Sequence, residues 1–216
     1  MTSYSLWTGL GLAVGLLCAA SGAPVSAGSF GDGAAAYSLQ NYAKAVTEWR
    51  PLAEAGNPQA QFRLGDLYES GRGVARDPAL AAQWYERAAR SGQARAALRL
   101  GDLYRQGHGV AGDAATAVRW YARAAEAGEP SAAYRLAKAL AAGNGVSRDL
   151  ITADAWLRIA ECRFEIPSKA RQAAAARHLL ERHFSAHQMA SSQAKREAIL
   201  AERDMTKNCA DPDRQP

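Results

Sequence analysis

No stretch of this 216-residue sequence alternates apolar and polar residues in the manner of a strand, which removes sheet-based folds from consideration. Nor are its charges gathered in runs. The formal net charge is +5, yet lysine and arginine are interspersed with acidic residues, the pattern of a solvated helical surface and not of a nucleic-acid-binding arm. No motif brings together a nucleophile, a base and an orienting group. No glycine-rich loop follows a strand to cradle a phosphate, since Gly71 and Gly73 lack that strand. The expected work is therefore not catalysis, and neither a cofactor nor nucleic acid is an expected partner.

Charge is missing altogether from the side chains of the first 27 residues, MTSYSLWTGLGLAVGLLCAASGAPVSA. Their apolar stretch, residues 10–20, is too short to span a bilayer comfortably. Small residues frame Val25-Ser26-Ala27 ahead of Gly28, an acceptable signal-peptidase site. Residues 1–27 thus read as a signal peptide, and the chain as periplasmic or secreted. The lack of a basic residue beyond the amino terminus leaves an uncleaved inner-membrane anchor as the alternative, the one route by which a membrane would be a partner. Cys18 invites lipidation, but Leu17 stands where a lipobox needs Gly or Ala. Cysteine is scarce, and removing the leader leaves Cys162 and Cys209, an even pair that in an exported chain points to a disulfide. Two unrelated free thiols are the alternative.

What the sequence does contain is repetition. Residues 60–95 and 96–131 share 20 identities in 36 positions, with Gly65 and Gly101, Tyr68 and Tyr104, and Trp84 and Trp120 each one period apart. A third copy, 132–165, is degraded but keeps Leu136, Gly143, Gly145, Val146, Asp149, Ala153, Trp156 and Ala160 in register. Residues 33–56 look like a preceding copy without its glycine turn, since Ala45, Trp49 and Gly56 fall one period before Ala81, Tyr85 and Gly92. Self-similarity at this period marks a stacked repeat architecture.

Each copy has room for two helices, and alanine with Leu, Arg and Glu favours helix throughout. Asn57-Pro58 predicts the start of the first, which runs to about Glu69. Gly71 and Gly73 predict a tight turn, Asp77, Asp113 and Asp149 cap the second helix, and Gly92 and Gly128 end it. Gly65 and Gly101 sit inside the first helix, where glycine costs about 1 kcal/mol relative to alanine. That predicts a large side chain from the paired helix in the space of the missing Cβ, with Trp84 and Trp120 the candidates. The third copy has Ala137 there and packs differently. Residues 166–210 carry two more helical stretches, roughly 168–182 and 186–206, that cap the stack, and 211–216 form a disordered tail.

The pattern Ala60, Leu64-Gly65, Tyr68, Gly71, Gly73-Val74, Asp77, Ala81, Trp84-Tyr85, Ala88-Ala89, Gly92 resembles the SEL-1-like repeat, a relative of the tetratricopeptide repeat. The second copy fits equally well, and the third departs at Ala137, Leu140, Leu157, Glu161 and Phe164. Residues 184–188 also resemble the closing helices of bacterial members. The resemblance implies an all-α fold, an α-solenoid of stacked antiparallel helix pairs with a helical C-terminal cap, that holds protein partners, often in the bacterial envelope. Some cysteine-rich members are linked to β-lactam hydrolysis or peptidoglycan binding, but this chain lacks their paired cysteines within each repeat.

Arg63, Arg99 and Arg135 occupy one repeat position on the first helix, whose exposed face lines the groove in related solenoids. Stacking would place the three guanidinium groups on one ladder suited to carboxylates. Intrahelical pairing with Asp66 and Asp102 at i+3 is the plainer alternative, and it leaves Arg135 out, whose i+3 neighbour is Lys138. His183 and His187 have the i, i+4 spacing of a metal site, but Ser185 and Gln188 read as a capping box that separates them, so no metal is expected. His108 reads as a solvated turn residue, and Tyr68, Tyr104 and the repeat tryptophans as core. The function expected is that of a monomeric envelope adaptor whose groove binds a protein or peptide with acidic groups. A muropeptide binder and, more remotely, a β-lactamase-like hydrolase are the alternatives.

Overall fold

The Asn57 Oδ1 accepts hydrogen bonds from the Gln59 and Ala60 amides at 3.0 Å, and Pro58 fills the first helical position, so a helix begins where the sequence places it. Thirteen residues later Gly71 closes it in the left-handed conformation. The same grammar runs along the chain. The computed structural model describes residues 29–202 and Cys209, and among these every regular element is a helix. They are α1 (Phe30–Ser38), α2 (Tyr42–Glu54), α3 (Pro58–Ser70), α4 (Pro78–Arg90), α5 (Ala94–Gln106), α6 (Ala114–Glu126), α7 (Pro130–Ala142), α8 (Leu150–Arg163), α9 (Pro167–Glu181) and α10 (Ala186–Glu202). The leader, residues 1–27, and the tail, 211–216, lie outside the described residues.

Each helix packs on the next from α1 to α9, and α10 folds back onto α8. The result is an α-solenoid of four helix pairs with a helical cap. Asp77, Asp113 and Asp149 each accept a backbone amide at the start of the second helix of a pair, at 2.9 to 3.0 Å. The second glycine of each turn has a role beyond turning. At Gly73, where φ is +73°, a Cβ would strike the backbone of Tyr42 and Ala43. Gly109 and Gly145 stand likewise against Pro78-Ala79 and Ala114-Ala115. These glycines are where one pair touches the start of the second helix of the pair before it, so they set the stacking distance.

The helix-interior glycines face tyrosine, not tryptophan. A Cβ on Gly65 would lie 2.5 Å from Tyr85 Cε1, and one on Gly101 would lie 2.6 Å from Tyr121 Cε1. This corrects the assignment of Trp84 and Trp120 by one residue, and the reason is geometric: successive helical side chains diverge by roughly 100°. The direction that faces the paired helix belongs to Tyr85, which is fully buried. Trp84 is buried beside it with the Arg87 guanidinium over its ring at 4.8 Å, while Trp120 is only half-buried under Arg123. The N-terminal pair has the same lock, because a Cβ on Gly33 would collide with the Trp49 ring. Trp49 Nε1 donates to the Phe30 carbonyl at 3.1 Å. In the third repeat both halves change together: alanine replaces glycine at 137, and Leu157 replaces the tyrosine, with both residues buried.

The cap is joined by polar side chains. Asp154, fully buried, accepts from Arg158 Nε at 2.9 Å and from Ser192 Oγ of α10 at 2.5 Å. Arg158 reaches Glu181 of α9, and Arg177 bridges Glu161 at 2.9 Å and Glu181 at 2.7 Å. Ser185 and Gln188 form the predicted capping box, with Ser185 N donating to Gln188 Oε1 at 2.8 Å. Cys162 and Cys209 lie within bonding reach, their Cα atoms 5.3 Å apart, and Arg196 Nη2 donates to the Cys209 carbonyl at 3.0 Å.

Candidate functional site

Arg63, Arg99 and Arg135 do fall on one face, carried by α3, α5 and α7, and their side chains are 40%, 49% and 39% exposed. Between them stands an acidic ladder. Asp66 lies 4.0 Å from both Arg63 and Arg99, so it sits between two repeats. Asp102 pairs with Arg135 of the following repeat at 3.0 Å. Arg135 is therefore the most tightly paired of the three, which corrects the expectation that it stands apart from an acid. The i+3 rule considers one helix only, whereas stacking brings the acid of one repeat to the arginine of the next.

The tyrosines that fill the glycine spaces complete each unit. The Tyr85 hydroxyl lies 2.7 Å from both Asp66 Oδ1 and Glu69 Oε2, which share its one proton, and Tyr121 donates to Asp102 Oδ1 at 2.7 Å. Burial, with the neighbouring Asp66 next in effect, pushes the Tyr85 phenol well above its ordinary range. Burial and the Asp102 hydrogen bond hold the Tyr121 phenol at about 12. Asp66 is raised too, burial outweighing the Tyr85 hydrogen bond and the two arginines. Phenol and carboxylate thus hold one another in place in each unit.

Sequence reasoning missed the tyrosine–aspartate–arginine unit, although a signal was present. Tyr85 and Asp66 recur as Tyr121 and Asp102, and both positions change in the third copy, to Leu157 and Lys138. Positions lost together are positions that touch. His183 follows α9 and His187 opens α10, and among the described residues no group of three or more His, Cys, Asp or Glu could hold a metal ion. His108 is exposed in its turn, Tyr68 is buried and Tyr104 half-buried. No described helix is long and apolar enough to cross a membrane.

The Sel1 repeat family matches residues 58–93, 94–129 and 130–162. A Sel1 repeat protein from Oxalobacter formigenes has a crystal structure similar to this one, with a TM-score of 0.65 and 30% identity over 70% of this chain and 60% of its own. The structure of c5321, a protective antigen present in uropathogenic Escherichia coli strains displaying an SLR fold, matches at a TM-score of 0.54 and 23% identity, over 81% of this chain and 46% of its own. Chitin synthase regulator SKT5 of Saccharomyces cerevisiae is 54% identical over 37 residues, which are 17% of this chain and 5% of that protein. The chain thus spans less than two thirds of each of these relatives. With three matched repeats, the glycine turns that stack them and structural relatives of the same architecture, the chain belongs to the Sel1 repeat proteins, which generally serve as protein-interaction scaffolds.

Proposed function

We propose that this protein is a non-enzymatic adaptor of the bacterial cell envelope, exported by residues 1–27, that holds a protein or peptide partner on the face formed by α3, α5 and α7. The observation that carries the reading is the row of three repeat-equivalent arginines, each close to half exposed and outside the core. Partly exposed guanidinium groups lose little solvation when they meet a carboxylate, and they form charge-assisted hydrogen bonds in a fixed fork. A disulfide between Cys162 and Cys209 would fasten the cap in an oxidising compartment.

Crosslinking the envelope of the producing cell and capturing the protein tests the reading. A stoichiometric protein partner is expected, with capture weakened in the triple variant Arg63→Gln, Arg99→Gln, Arg135→Gln and in high salt. Co-sedimentation with peptidoglycan alone would favour the muropeptide binder instead. A mature mass beginning at Gly28 is expected, whereas the full-length chain in the membrane pellet would favour the anchor. Two alkylatable thiols in unreduced, denatured protein would remove the disulfide.

A further inference from the structure

The equivalence of the repeats fails along this face, and it fails in one direction. Where the first two repeats have Asp66 and Asp102, the third has Lys138, and where the first has Glu69 the second has Arg105. Leu157 replaces the tyrosine whose hydroxyl served the acid, and the lysine ammonium has no lone pair to accept from a phenol. The two ends of the face now differ in whether carboxylates stand among the cations. Beside the first repeat a cleft of about 340 Å³ has Asp66 and Glu69 on its walls together with Arg72, Arg76 and Arg99. Between α6 and α7 a cleft of about 390 Å³ has Arg105, Arg135 and Lys138 on its walls, and none of its lining residues is acidic. Asp102 is engaged next to it with Arg135 and Tyr121, so the positive charge of Arg105 and Lys138 is not balanced from the cleft walls.

The same cleft borders an apolar shelf. Lys138 and Ala142 line both it and a shallow hollow formed by Leu157 of α8 and Leu179 and Leu180 of α9. Leu179, on the wall of this hollow, is 62% exposed and so offers aliphatic surface beside Lys138. Cation and aliphatic surface therefore meet at Lys138.

We propose that cleft and shelf form one binding site for a short peptide segment in which an acidic side chain stands next to a large aliphatic one. The carboxylate lies between Arg105 and Lys138, and the aliphatic side chain covers Leu179. The proposal rests on the reading of this face as a protein-binding surface. It moves the weight of binding from the three equivalent arginines to the two cations that break the equivalence.

Selecting a random dodecapeptide library on phage against the intact protein at low salt tests it. The expected result is enrichment of peptides pairing Asp or Glu with Leu, Ile or Phe. Their affinity should fall at least about tenfold in the double variant Arg105→Glu, Lys138→Asp, which restores the acids of the first repeat, and also fall in Leu179→Ser. Arg63→Gln, at the other end, should leave it within about twofold. Circular dichroism controls for folding, and all these side chains except that of Leu179 are charged and exposed or half-exposed in the fold. Selected peptides without an acid, or equally bound by the double variant, would overturn the site while leaving a peptide-binding face in place. No enrichment, or binding of a soluble muropeptide in place of peptides, would overturn both.

Discussion

The first two repeats and the third fill the same backbone plan with opposite chemistry at its inner contacts. In the first two, a helix-interior glycine admits a tyrosine, and the tyrosine hydroxyl fixes an aspartate that an arginine of the next repeat approaches. In the third, alanine meets leucine, and lysine stands in place of the aspartate. The lesson is that volume is conserved across the helix pair while polarity is not. A methyl gained at 137 is offset by the ring lost at 157, so the stack continues, and the polar unit, no longer needed for packing, is free to change. The repeats that close on themselves carry a fixed aspartate at this position, and the one that does not carries a lysine in its place.

The comparison can be broken most forcefully at its aromatic half. Tyr85→Ala empties a fully buried ring position and removes the hydroxyl that Asp66 and Glu69 share, and a loss of about 3–5 kcal/mol is expected by urea unfolding. Trp120→Ala should cost clearly less, because Trp120 is half-buried. Equal losses would mean that the glycine spaces do not govern the packing.

A smaller perturbation transplants one repeat's solution into another. Gly101→Ala gains helix propensity yet drives a methyl against Tyr121, so a net loss of about 1–3 kcal/mol is expected. Adding Tyr121→Leu reproduces the pair at 137 and 157 and should recover a large part of that loss. If the double variant is no more stable than the single one, the two positions are not coupled as the third repeat implies.

The smallest effect is electrostatic. Burial raises the Asp66 carboxyl above its ordinary value of about 3.9. A group raised in this way adds stability that is complete below its unfolded pKa and is lost as pH rises through the folded one. Lowering the pH from 7 toward 4 should therefore move the stability difference between wild type and Asp66→Asn in favour of wild type. A difference that is flat with pH, or an Asp66 carboxyl titrating at the ordinary value by NMR, would contradict the burial argument.

Much of the architecture was legible in the sequence because its signals are local. Asn57-Pro58, Asp77 and the paired glycines act within a turn or two of helix, and the period of the copies gave the stacking. What was not legible is relational. Trp84 and Tyr85 are neighbours in sequence and both aromatic, and only the angular divergence along the helix decides which one enters the glycine space. The partner of Arg135 lies 33 residues back on another helix, beyond the reach of an i+3 rule. The Asp154 network is hidden for the same reason, since Ser192 and Glu181 are distant in sequence and the cap follows no repeat. The site's arginines could be named, but the pairing of Arg99 and Arg135 with acids of the preceding repeat, and the meeting of Arg105 and Lys138 in one cleft without an acidic wall, emerge only when the helices are stacked.

Positions 70, 106 and 142 are equivalent in the three repeats and lie at the C-terminal ends of α3, α5 and α7, with exposed Ser70, Gln106 and Ala142. Placing a photocrosslinking amino acid at 70 or at 142 in the producing cell therefore asks the two ends of the face the same question. The account predicts an adduct with a protein partner at 142, abolished by Arg105→Glu with Lys138→Asp, and little or none at 70. Adducts confined to 70, or equal at both ends and unaffected by the charge reversals, would contradict it.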